Sequence, residues 1–150
     1  IIMKTKIVLI VLFTMIVAGC SFVKKTNLEA SNDAITEKYW KLKKLEGKVV
    51  TMKDNQEGEV YFILKTDENR VTGFAGCNVL SGEYALEEGN RIRFKNMAVT
   101  MRACPDVDVN ESEFLEVFEL ADNYTINGTI LSLNVGRRAP LAVFESVLMN

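Results

Sequence analysis

From Tyr39 onward, apolar and polar residues alternate with a period of two, which is the signature of strands with one face turned to a core. Trp40 and Leu42 alternate with Lys41 and Lys43, Val60, Phe62 and Leu64 with Tyr61 and Ile63, and Ile92 and Phe94 with Arg91, Arg93 and Lys95. Turn chemistry separates these runs at Asp54-Asn55, Asp67-Glu68-Asn69, Glu88-Gly89-Asn90 and Asn127-Gly128. The last is the strongest hairpin signal, because Asn-Gly accepts the positive φ angles of a type I′ turn and would join Tyr124-Ile126 to Ile130-Leu133. One helix interrupts the strands: Asn110 is placed to cap it, Glu113 completes a pair resembling a capping box, and Phe114, Val117, Phe118 and Ala121 recur at helical spacing. The helix is expected from Glu111 to Asp122, with Phe114 and Phe118 against the sheet.

The N-terminal stretch has a different pattern. Lys4 and Lys6 form a short positive region, Ile7 to Val17 an apolar run, and Ala18-Gly19 precede Cys20, with Met3 the natural initiator. This is the order of a signal peptide, and the run is too short to predict a stable span. The small-small-Cys ending resembles the lipobox of bacterial lipoproteins, which makes Cys20 the lipid attachment site; a plain signal peptide or a membrane anchor is the competing reading. Acyl chains contribute about 0.8 kcal/mol per buried CH2, so several of them hold a protein on the membrane. Ser21 after Cys20 resembles the pattern that goes with the outer membrane, facing the periplasm. Residues 21 to 37 are polar and read as a flexible tether with a reach of about 20 to 25 Å. The expected organisation is a signal peptide over 1–19, acylated Cys20 and tether over 20–37, and one folded domain over 38–150.

Composition removes several chemistries. The 150 residues contain no histidine, which leaves no Ser-His-Asp or Cys-His nucleophile and no His ligand for zinc. Without Lys4 and Lys6 the 18 basic residues become 16 against 20 acids, a balance of −4, and a weakly acidic chain is a poor partner for nucleic acid. Asp106, Asp108 and Asn110 alternate as calcium ligands would, yet the run lacks the central glycine and the bidentate Glu of such a loop. No metal and no cofactor is expected. Arg137-Arg138 reads as a hairpin tip.

Cys77 and Cys104 form an even pair in an exported chain, a setting that favours a disulfide. Closing that loop would stabilise by about 3 to 4 kcal/mol; two buried free thiols is the other reading. Gly73, Gly76 and Gly82 imply a bulge or a close approach of neighbouring chain, and Asn78 is placed to bond its side chain to that loop.

Gly73 to Asn78, Ser81-Gly82-Glu83-Tyr84, Asn96 to Ala98, Thr100-Met101-Arg102-Ala103-Cys104 and the helix after them resemble the META domain of the HslJ family. The resemblance extends from Tyr39-Trp40-Lys41-Leu42 to Leu141-Ala142-Val143-Phe144. It implies a mainly β fold, a small antiparallel β-barrel with one helix, in bacterial envelope lipoproteins or secreted proteins linked with heat shock and novobiocin resistance. It implies no catalytic residue. The expectation is therefore a non-enzymatic envelope lipoprotein whose partners are the membrane, through its lipid, and an envelope protein or a small apolar ligand. The alternative is a binding module of the ligand-holding or protease-inhibiting kind, though Phe62, Phe94, Leu131 and Leu133 are expected to fill so small a barrel.

Overall fold

A computed structural model describes residues 35–103 and 109–147. The signal segment, Cys20, most of the tether, Cys104 and the Asp106-Asp108 run lie outside the described residues.

Nine strands and one helix are seen among the described residues: β1 (Tyr39–Leu45), β2 (Lys48–Val49), β3 (Val60–Lys65), β4 (Arg70–Ala75), β5 (Val79–Glu87), β6 (Arg91–Val99), α1 (Glu111–Leu120), β7 (Asn123–Asn127), β8 (Ile130–Asn134) and β9 (Ala142–Val147). A 3-10 turn, Asp67–Asn69, joins β3 to β4. All pairings are antiparallel between neighbours, and β1 also pairs with β9, so eight strands close into a ring to which β2 is attached. The mainly β fold with one helix is therefore present, and the expected barrel takes the form of this closed ring.

The alternation read from sequence is the alternation of burial. In β3, Val60, Phe62 and Leu64 are buried while Tyr61, Ile63 and Lys65 are less so. In β1, Trp40 and Leu42 point inward, but the next inward residue is Leu45, three positions on. The register against β9 shifts between Leu42 and Lys44, and this bulge resets the period so that Leu45 still reaches the core.

The ring is weakest between β6 and β7, which share one residue pair, Arg91 with Asn123. Helix α1 packs against β6 and supplies the missing interior. Phe118 meets Phe62, Phe94 and Phe114 edge-on at centroid distances of 5.5, 4.9 and 5.2 Å. Phe62 also meets Phe144 edge-on at 4.8 Å. Edge-to-face contact aligns the positive rim of one ring with the negative face of the next, which fixes the geometry as well as burying area. Leu131 and Leu133 are fully buried in the same core, with Phe94 partly buried beside it.

Three expectations need adjustment. The helix ends at Leu120, because Ala121 already has extended dihedrals as its C-cap. The last hairpin pairs Asn127 with Ile130, which leaves Gly128-Thr129 as the two-residue turn. Gly128 has φ +60° whereas Thr129, the second central residue, is not in the left-handed region; positive φ at the first central position alone is the mark of a type II′ turn, not I′. Finally, residues 35–37, read as the end of the tether, are packed: Ile35 is buried, its carbonyl accepts from Trp40 Nε1 at 2.8 Å, and Glu37 binds Lys65 and Thr66.

Candidate functional site

The two cysteine-containing motifs meet at Asn78. Gly76, at φ +91°, turns the chain out of β4, and this reversal places Asn78 between the segment after β6 and the start of α1. Its Oδ1 accepts from the Thr100 hydroxyl at 2.9 Å and from the Arg102 N–H at 2.8 Å. Its Nδ2 donates to the Arg102 carbonyl at 3.2 Å and to Glu111 Oε2 at 2.8 Å. Both donors and both lone-pair sites of the amide are thus used, in a side chain only 5 % exposed. The loop contact expected of Asn78 is present and extends further, to the helix.

Around this amide the charges are arranged as surface pairs. The Arg102 guanidinium takes Glu57 in a two-point contact, Nη1 at 3.0 Å and Nη2 at 2.5 Å, and the pair raises the Arg102 pKa through that hydrogen bond. Both side chains are more than half exposed, so the pair locates the β2–β3 connection and adds little stability. Asn110 caps α1 by accepting from the Ser112 and Glu113 N–H groups at 3.0 and 3.4 Å. Glu113 answers only the Asn110 side chain, at 3.4 Å, so the cap is an Asx cap and not a full reciprocal box.

The glycines serve close approach. A Cβ on Gly73 would lie 2.3 Å from the Tyr61 carbonyl oxygen and 3.0 Å from Phe62 Cα. On Gly82 it would lie 2.3 Å from Met97 Sδ. Gly82 faces a bulge, since Ser81 pairs with Ala98 and Glu83 with Lys95, and Asn96 there has φ +51°.

Cys77 is 4 % exposed; Cys104, the expected partner of its disulfide, lies outside the described residues, as does Cys20. Arg137 and Arg138 sit in the exposed β8–β9 connection, as expected. Among the described residues, Glu37 and Asp122 are the two carboxylates whose pKa values move, and both move down. Lys65 and the Thr66 N–H lower Glu37 to about 2; the Gly136 N–H and Asn123 lower Asp122. Burial raises Tyr39 to about 12, with nearby Glu59 adding to it. Among the described residues no group of three or more acids or cysteines is placed to hold a metal ion.

Two open grooves flank α1. One, of about 290 Å³, lies among Leu45, Val49, Val109 and Glu113. The other, of about 550 Å³, lies among Glu46, Glu116, Leu120, Val135 and Arg138. Sequence reasoning did not find these grooves: the first depends on β2, whose two residues carry no alternation signal, and both depend on where α1 packs.

Two solved structures share this fold. An NMR structure of a protein from Burkholderia xenovorans superposes with a TM-score of 0.61 at 20% identity, covering 88% of this chain and 97% of its own. A second NMR structure gives 0.58 at 17% identity, covering 75% and 92%. No curated protein matches. The META domain family model matches residues 33–147, which takes in the packed residues 35–37, the Asn78 amide and every strand of the ring, and on that match the chain belongs to the META domain family.

Proposed function

We propose that the protein is a non-enzymatic bacterial envelope lipoprotein, held by lipid on Cys20, whose META domain makes a structural or protective contact under stress. The family supports the coarser part, an envelope- or stress-associated bacterial protein. The non-catalytic part of the reading is supported above all by how Asn78 is spent, while heat or novobiocin-type tolerance at the outer membrane rests on the family resemblance and the N-terminal pattern. The most distinctive polar residue of the motifs uses all four of its hydrogen bonds on the protein itself, which leaves nothing for a substrate. The proposed Cys77–Cys104 disulfide would fasten the same two segments covalently.

Labelled palmitate should enter the wild-type chain and not Cys20→Ala, and a deletion strain made sensitive to novobiocin or heat should be rescued only by the acylated form. An unmodified mature mass, or full rescue by Cys20→Ala, would sink the reading. The binding-module alternative has one observation in its favour, the groove of about 550 Å³ beside α1. In that reading a small apolar ligand would lie outside the ring, since five phenyl rings occupy the inside.

A further inference from the structure

Four of the seven large apolar side chains that stand open to solvent among the described residues gather at one rim of the ring: Val49 at 69 %, Met52 at 49 %, Val79 at 54 % and Met101 at 98 % exposed. The topology puts them together. Along consecutive neighbours, β1 ends, β3 begins, β4 ends, β5 begins and β6 ends at this rim. The four residues lie at the adjoining strand ends and in the connections between them. Hydrogen bonds tie those connections to one another: Arg102 to Glu57, Asn78 to Arg102, and the Val79 N–H to the Thr100 hydroxyl at 3.0 Å. Met101 therefore projects from a chain that is fixed on both sides of it.

Lysines stand beside two of these tips, and an ion pair, Arg102 with Glu57, stands beside a third. Lys48 precedes Val49 and Lys44 stands across from it, Lys53 follows Met52, and Arg102 follows Met101. An apolar tip with a cation beside it suits a phospholipid interface: the tip enters the acyl boundary while the cation stays with the phosphates. A protein partner would need a separate pocket for each of several tips, whereas a bilayer takes isolated tips without matched shape. Glu46, Asp54 and Glu57 on the same connections keep the net charge low, so insertion of the tips, not long-range attraction, dominates.

The chain enters the domain at the opposite rim, where Glu37 binds Lys65 and Thr66. Fully extended, the residues from 21 to 34 reach roughly 45 to 50 Å, and a nine-residue strand such as β5 is about 30 Å long. The tether is therefore long enough for the far rim to lie on the membrane that holds its own anchor. We propose that the rim carrying Val49, Met52, Val79 and Met101 is a phospholipid-docking surface. This rests on the lipid-anchored reading only for which membrane is met.

The test uses the full chain, purified from membranes and reconstituted in phosphatidylcholine–phosphatidylglycerol vesicles with brominated acyl chains. Met101→Trp and Met52→Trp report the docking rim, Val147→Trp reports the rim where the tether enters, and the unsubstituted protein corrects for buried Trp40. Quenching at 101 and 52 severalfold stronger than at 147, with a blue shift, is the expected result. Stronger quenching at 147, or none at any of the three, overturns the proposal. Palmitate labelling of the same samples reports the anchor separately: quenching at 101 without label leaves the rim standing and removes the anchor, and label without quenching does the reverse.

Discussion

The side-chain amide of Asn78 holds both ends of the Arg102 backbone unit, accepting its N–H at 2.8 Å and donating to its carbonyl at 3.2 Å. This reproduces with a side chain the double hydrogen bond that two strand residues exchange. It continues the β5–β6 ladder past its last pair, Leu80 with Val99.

Loss of that amide should therefore cost more than a surface polar contact. Asn78→Ala leaves the Arg102 N–H and the Thr100 hydroxyl without their acceptor at a part-buried contact, where each unsatisfied group costs up to about 1 to 3 kcal/mol. We expect a destabilisation of about 2 to 4 kcal/mol, measured as a fall in the urea midpoint at unchanged m-value. Thr100→Val removes one bond and should cost about 1 kcal/mol. Equal effects from the two would show that Asn78 is not the shared acceptor.

The two close-approach glycines should respond unequally to alanine. At Gly73 the new methyl meets backbone, the Tyr61 carbonyl oxygen at 2.3 Å, and β3 cannot recede without disturbing its pairing with β1. Gly73→Ala should cost on the order of 3 kcal/mol or prevent folding. At Gly82 the nearest atom is the flexible end of Met97, with backbone no closer than 3.2 Å, so Gly82→Ala should cost roughly 1 kcal/mol. Thermal unfolding of the two variants side by side decides the order.

Much of this was legible in the sequence, for physical reasons particular to each element. Period-two alternation in Val60 to Leu64 survives because that strand has one face inside the ring and one outside. The Asn110 cap was readable because it is local, within three residues. What escaped depends on partners far along the chain. The Leu42/Lys44 bulge is set by β9 about a hundred residues away, and the packing of Ile35 under Trp40 leaves no periodic trace in so short a segment. Asn78 could be assigned to its own loop from sequence, but its contact with Glu111 requires the folded position of α1. The grooves beside α1 had no sequence signal at all.

The corrected turn at Gly128 gives a local test. With Asn127 paired to Ile130 and Gly128 alone at φ +60°, Asn127→Ala should be nearly neutral, within about 0.5 kcal/mol. Gly128→Ala introduces a Cβ in the left-handed region and should cost about 1 to 2 kcal/mol through strain, although nothing lies within 4 Å of that Cβ. A type I′ turn with Asn127 in the left-handed region would instead make both substitutions costly, because alanine would then be strained at 127 as well.

Acid should loosen the contact by which the chain enters the domain. The Glu37 carboxylate accepts from Lys65 Nζ and the Thr66 N–H, both at 2.6 Å, and from the Thr66 hydroxyl at 3.0 Å. The Lys65 bond first and the Thr66 bonds after it lower the pKa from 4.5 to about 2. A carboxylate depressed in the folded state binds fewer protons there than in the unfolded chain, so stability falls as pH falls. The contribution is complete above about pH 4.5, declines between 4.5 and 2, and is gone below 2. With Glu37 44 % exposed, solvent screening holds the effect to about 1 kcal/mol or less. Glu37→Gln should therefore reduce stability at pH 7 and flatten its dependence on pH between 4.5 and 2. Urea midpoints for both proteins at pH 7, 4.5, 3 and 2 measure this, and parallel pH profiles would show that Glu37 carries no linked proton.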